Sequence, residues 1–459
     1  MKNAVILLSF ASALASGAPR LSIEQRFQEI RTSPPELYAF LLQMPKGGDL
    51  HNHLAGAVYA ESFLKAAAED SLCVDERNFS LARPAGAPCK VNASRALSDN
   101  DLAGSLIDSL SMRDYQPGRE APQDHFFNTF YKFSALGLAH DGDFVAEVAR
   151  RAGEQNESYL ELMALAGGGP ISALGQRIGF NGNFEETATK LRNGGILDLV
   201  ASMRAHVDQM EERRISILEC KEKPDSPACQ VRVRYIYQVL REFPKEQVFA
   251  QVLAGFLLAD SDPRVVAINF VQPEHGLTAM RDYHLHMQMV DYMHRLYPRV
   301  HITLHAGELA SGLVPPEGLR FHIREAIELG HAERIGHGVA VMYENDALGL
   351  LRLMKQRRIA IEVNLTSNDL ILGVSGANHP LPVYRKYGVP IVLSTDDEGV
   401  SRTHLTQEYQ RAVLTYHLSY ADLKAIVLNS LEYSFLPADE KEAEIRDLRK
   451  RFQRFEQSY

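Results

Sequence analysis

The sequence predicts an α/β protein folded as a (β/α)8, or TIM-type, barrel, and three observations carry that reading. From about residue 300 onward, short runs rich in Ile, Val and Leu alternate with helical patterns at roughly 26- to 33-residue spacing, the rhythm of a parallel sheet. Four further runs upstream bring the strands to eight, the number that closes such a barrel. Nearly every conspicuous polar residue falls at the C-terminal end of a run, where barrels build their sites. A doubly wound sheet fits the alternation as well, and the polar residues favour the barrel over it.

Taken in order, the chain starts with a basic residue, Lys2, an apolar stretch from Ala4 to Leu14, and small residues at 13 and 15. That pattern predicts a signal peptide over residues 1–15, cut after Ala15, and hence a secreted or periplasmic protein. The stretch is short for a bilayer span, and no later run is long enough to cross a membrane. Residues 16–459 then read as one barrel domain. Strand one is "GDLHNHL" near residue 50. An insertion over about 66–125 follows it and carries Cys73 and Cys89. Strand two is "SYLELMAL" (158–165), followed by a second insertion over about 170–245 with Cys220 and Cys229. The insertions are expected to be helical, and they are also candidate surfaces for a homodimer. Strand three is placed on "VFAQVLAGFLL" (248–258) and strand four on "RVVAINFV" (264–271). Strands five to eight are "HITLHAG" (301–307), "AERIGHG" (332–338), "IAIEVNL" (359–365) and "VPIVLSTDD" (389–397). The final 55 residues, rich in helix formers, read as a helical extension on the outside. In an exported protein the four cysteines pair as disulfides, and proximity favours Cys73 with Cys89 and Cys220 with Cys229.

Composition narrows the function. A net charge of −9, with no concentrated Lys/Arg stretch, argues against a nucleic-acid partner and leaves a small molecule as the easier expectation. Residues two apart on a strand face the same side, so His51 and His53 both point into the barrel. Alone, H-x-H is a weak metal signal. "TLHAGE" adds His305 and Glu308, "RIGHG" adds His337, and "LSTDDEG" adds Asp396 and Asp397, all at strand ends. His51, His53, His305 and Asp396 offer nitrogen and oxygen ligands to a Zn2+ ion, and catalytic zinc sites keep a position for water. Glu308 and His337 remain free to move protons, the division of labour required for hydrolysis at an sp2 carbon. The strand-four run has no lysine to bridge a second ion, so one Zn2+ per chain is favoured. The H-x-E and P-C-x-x-C signatures of the cytidine-deaminase zinc site do not occur.

"MPKGGDLHNHLAGA", "VVAINF", "LHAGE", "ERIGHGVAV", "EVNLTSN" and "LSTDDEGV", in this order, resemble the adenosine deaminase family, through most of residues 44–410. The signal sequence and first insertion also resemble its secreted, growth-factor-related branch. The resemblance implies that His51, His53, His305 and Asp396 bind zinc, that Glu308 protonates purine N1, and that His337 orients and deprotonates the attacking water. It also implies that Asp397 bonds N7 and that adenosine or 2′-deoxyadenosine is converted to the inosine product and ammonia. There are two departures. Ala55 stands where the family has an Asp that contacts ribose. Gln272 stands where the family has a Gly whose N–H contacts N3, which makes Gln272 and Glu274 candidate substrate contacts. Another 6-aminopurine or modified nucleoside is therefore the alternative substrate, and a secreted protein that binds nucleosides without turnover is the non-enzymatic alternative.

Overall fold

The computed structural model describes residues 22–118, 120–166 and 168–459. The predicted signal peptide lies outside the described residues. Eight parallel strands form one sheet in sequential order: β1 (Gly48–His53), β2 (Tyr159–Ala166), β3 (Arg232–Leu240), β4 (Val265–Val271), β5 (His301–Ala306), β6 (Arg334–His337), β7 (Ala360–Val363) and β8 (Ile391–Leu393). Beyond the end of β8 the seam is closed by the chain at Asp396, whose N–H donates to His51 O and whose carbonyl accepts from His53 N–H, both at 2.8 Å. The barrel predicted from the sequence is therefore present, and its closing seam runs through three of the proposed ligands.

One strand was misplaced. Residues 248–258 lie within a helix, Lys245–Ser261, and the third strand is β3, inside the segment read as the second insertion. The helix is apolar on every side because it is buried on every side, from Val248 through Phe256 to Leu258, and such a run has no helical stripe to betray it. In β3 the alternation "RVRYIYQ" is the strand signal. Arg232 and Arg234 pair with Glu440 on the C-terminal helix Ala438–Gln457, and Val233, Tyr235 and Tyr237 are buried.

The segments after β1 and β2 are mostly helical, and the second ends before β3 instead of running to residue 245. After β1 come helix Ala60–Glu69, a hairpin of Cys73–Asp75 and Ser80–Ala82, and helices Asn100–Ser109 and Pro122–Phe133. Cys73 and Cys89 are bonded with Cα atoms 5.1 Å apart. The second insertion carries the 22-residue helix Ile196–Ile217 and the bonded pair Cys220–Cys229, at 5.5 Å. Helices Leu405–Tyr416, Tyr420–Glu432 and Ala438–Gln457 make the C-terminal extension.

Candidate active site and metal centre

The strand ends deliver the predicted side chains to one point. His51 Nε2 and His53 Nε2 lie 3.1 and 3.2 Å from His305 Nε2, and both lie 3.3 Å from Asp396 Oδ1. A tetrahedral ion with ligand bonds of 2.0–2.1 Å has edges of about 3.3–3.4 Å, so these separations are those of atoms already gathered around a cation. The hydrogen bonds behind the rings make the same point. His51 Nδ1 donates to Glu362 Oε2 at 2.6 Å, and His53 Nδ1 donates to Gln238 Oε1 at 3.1 Å. His305 Nδ1 donates to Asn269 Oδ1 at 3.0 Å, an oxygen identified by the backbone N–H of His305 that it also accepts. With each ring proton committed to Nδ1, three Nε2 lone pairs face one another and a carboxylate oxygen. A cation satisfies that arrangement, and the donor set fits Zn2+.

The ligands are anchored from below. Arg334, buried under the histidines, donates through Nε to Glu362 Oε1 at 2.6 Å and through Nη2 to Glu161 Oε2 at 2.5 Å. Burial works to raise the Glu362 carboxyl, but the guanidinium of Arg334 and the ring of His51 outweigh it and hold it down to about 2. Glu362 is thus a permanent anion behind His51. Ser367 Oγ donates to Asp396 Oδ2 at 2.6 Å and fixes the fourth ligand.

Around this cluster stand the proton-handling groups. His337 Nε2 lies 3.7 Å from Glu308 Oε1 and 3.6 Å from Asp396 Oδ2, while its Nδ1 lies 2.8 Å from the Asn368 amide. Burial raises the Glu308 carboxyl above its ordinary value despite the nearby ring of His337. Burial, reinforced by Asp396 and Glu308, pushes Asp397 well above its ordinary value, and its Oδ1 is a buried atom with no protein partner. Gly56 makes room for that carboxyl, because a Cβ at residue 56 would lie 1.6 Å from Asp397 Oδ1. His337, Asp396 and Gln272 hold left-handed backbone, at φ +65°, +62° and +79°, a conformation that costs a non-glycine residue about 1–2 kcal/mol and concentrates at functional sites.

A cavity of about 250 Å³ opens over the cluster, with His53, His305, Glu308, Asp396 and Asp397 in its lining. Phe126, Phe127, Phe130 and Tyr131 of helix Pro122–Phe133 also line it, as do Ala55 and Gln272. Gln272 keeps its candidacy, and its positive φ is the conformation a glycine adopts freely. Glu274 does not keep its candidacy. It is fully buried outside the cavity lining and accepts from Gly307 N–H at 3.0 Å, from Glu308 N–H at 2.7 Å and from His322 Nδ1. It shapes the turn that presents Glu308. Sequence reasoning missed Gln238, Asn269, Glu362, Ser367 and Asn368. Gln238 was hidden by the misplaced strand, although "RVRYIYQ" puts it on the inward face.

Comparison with known proteins agrees with the geometry. The family model described as adenosine deaminase matches residues 215–450. The chain is 36% identical over 142 residues to the adenosine deaminase of Clostridium perfringens and 41% over 144 residues to that of Salmonella schwarzengrund. Each alignment covers 31% of this chain and 40% of the relative, so the chain spans about two fifths of the length of these relatives. Among solved structures, it superposes on adenine deaminase from Arthrobacter aurescens with TM-score 0.57 at 16% identity, covering 88% of this chain and 98% of that one. For the N6-methyl-AMP deaminase of Arabidopsis thaliana the values are 0.59, 18%, 90% and 98%. For an amidohydrolase from Burkholderia ambifaria with bound Zn they are 0.57, 17%, 92% and 94%. These structures share the barrel, and with the family match running over just more than half of its length, the chain belongs to the adenosine deaminase family.

Proposed function

We propose that this protein is a zinc-dependent hydrolase that removes the 6-amino group of adenosine or 2′-deoxyadenosine as ammonia, using one Zn2+ per chain held by His51, His53, His305 and Asp396. The observation that carries the reading is the meeting of three Nε2 lone pairs and one carboxylate beside two buried carboxyls, Glu308 and Asp397, that burial raises above their ordinary values. Bound there, zinc would supply a Lewis acid that lowers the pKa of a water to about 7. Glu308, whose carboxyl burial raises above its ordinary value, donates to purine N1 and makes C6 electrophilic. Asp397, raised well above its ordinary value and with one oxygen unpartnered, turns its carboxyl toward N7, an acceptor that needs a donor. His337 orients the attacking water. The aromatic side chains of helix Pro122–Phe133 line the cavity and give the bound base an apolar surrounding.

A second reading, another 6-aminopurine or a modified nucleoside, is favoured by Ala55, which offers the cavity a methyl group and no carboxylate. A panel of adenosine, 2′-deoxyadenosine and adenine on zinc-loaded protein, followed by loss of the adenine-type absorbance, separates the two. Turnover of the nucleosides supports the first reading, and inactivity on both with metal bound overturns it. Export to the periplasm or medium belongs to the same proposal. It is supported by the N-terminal pattern and by two disulfides, which persist in oxidising compartments. Sequencing the N-terminus of the mature protein tests it, with Ser16 as the expected first residue.

A further inference from the structure

We propose that His379, which lies outside the ligand cluster and the cavity lining, sets the proton of His337 through Asn368. It holds His337 as the Nε2–H tautomer, so that His337 serves the reaction as a hydrogen-bond donor rather than as a base.

The argument begins at a backbone N–H. Leu381 N–H donates to His379 Nδ1 at 3.1 Å, and because a backbone N–H has only a proton to give, Nδ1 carries the lone pair. His379 is 2% exposed, and burial, reinforced by the Arg411 charge, lowers its pKa to about 4. A neutral ring has one proton, which is therefore on Nε2. Nε2 lies 2.9 Å from Asn368 Nδ2 and His337 Nδ1 lies 2.8 Å from Asn368 Oδ1, so a proton on His379 Nε2 requires that amide to be turned over, with its oxygen to His379 and its NH2 group to His337. The opposite orientation would set N–H against N–H. An amide's two ends are told apart by such networks rather than by outline. His337 Nδ1 thus accepts, and its ring proton sits on Nε2.

The consequence rests on the deaminase reading. The Nε2–H points into the space bounded by Glu308 Oε1 and Asp396 Oδ2, where it donates to the attacking oxygen and stabilises the charge that develops there. The water's proton then goes to Glu308, which has become a carboxylate by giving its own proton to N1. As the O–C6 bond forms, His337 keeps its proton. His379 is a positioning residue that acts through two others.

Ring-15N labelling of the full chain, read by long-range 1H–15N correlation, tests the tautomer directly. The Nε2–H pattern is expected for His337, and the Nδ1–H pattern overturns the proposal. His379→Leu removes the donor to Asn368. It is expected to shift His337 to Nδ1–H and to lower kcat by about 100-fold while KM stays within about threefold. His379→Gln, which can accept from Leu381 and donate to Asn368, should restore kcat to within about threefold of the parent. A Leu variant with kcat within about threefold of the parent, or a Gln variant as slow as the Leu variant, overturns the proposal. Should the Leu variant fail to fold, the parent spectrum still decides. Should the zinc-loaded protein turn over no purine, the deaminase reading fails while the tautomer result stands.

Discussion

Replacing Glu362 by Gln probes the foundation of the site, because one carboxylate serves two masters. Its Oε2 accepts from His51 Nδ1 at 2.6 Å, and its Oε1 accepts from Arg334 Nε at 2.6 Å and from Thr303 Oγ1 at 2.8 Å. A Gln has one accepting oxygen and one donating NH2 group, so it can satisfy His51 or Arg334 but not both. If the NH2 faces Arg334, two buried donors collide beside a guanidinium that has lost half of its counter-charge. If it faces His51, the ring turns its proton to Nε2 and removes a lone pair from the metal centre. Breaking a buried ion pair costs about 3–5 kcal/mol. Arg334 keeps Glu161, so the low end applies, about 3 kcal/mol. Losing a carboxylate behind a metal-bound histidine costs about 10- to 100-fold in affinity. The assay is a zinc titration against a chromogenic chelator, paired with thermal denaturation of the metal-free protein. A variant with unchanged zinc affinity and unchanged melting temperature would refute the coupling of His51 to Arg334.

Three further outcomes follow from contacts already described. Glu308→Gln removes the carboxyl assigned to N1 and should lower kcat for adenosine by about 10²- to 10⁴-fold with zinc content unaltered, measured by absorbance and metal analysis. Gly56→Ala drives a methyl into Asp397 Oδ1, so it should raise KM and lower kcat together while the melting temperature falls by only a few degrees, read from Michaelis curves and calorimetry. Glu344 is pushed up to about 7, chiefly by burial, so its folded pKa exceeds its unfolded value of 4.5. Its contribution to stability is then fully present below pH 4.5 and is lost as pH rises toward 7, a span worth roughly 3 kcal/mol. Glu344→Gln should flatten the pH dependence of the melting temperature across that window, and an unchanged slope would contradict the assignment.

Much of the site was legible because barrel geometry turns strand ends into a list of inward-facing side chains. His51, His53, His305, His337 and Asp396 needed only the two-residue period and the order of the strands. What escaped was whatever depends on depth. The helix Lys245–Ser261 lost its stripe by being buried all round, so an apolar run passed for a strand and concealed Gln238 on β3. Glu274 was read as a substrate contact from its place beside Gln272, where the chain departs from the family's glycine, yet its carboxylate is spent on two backbone N–H groups of the Gly307–Glu308 turn. Glu362 and Asn368 lie in a motif that was recognised as a string, but their partners at Arg334, His51 and His337 are distant in sequence and meet only in the closed barrel. Local pattern exposes faces of strands and helices, while hydrogen-bond partnership is a property of the fold.

The most direct test of a single-ion deaminase is turnover of adenosine against bound zinc, measured on metal-stripped protein titrated with Zn2+ and assayed by metal analysis at each point. The account predicts a rate that rises in proportion to zinc and saturates at one ion per chain. Full activity in the stripped protein, or saturation only at two ions, would contradict it.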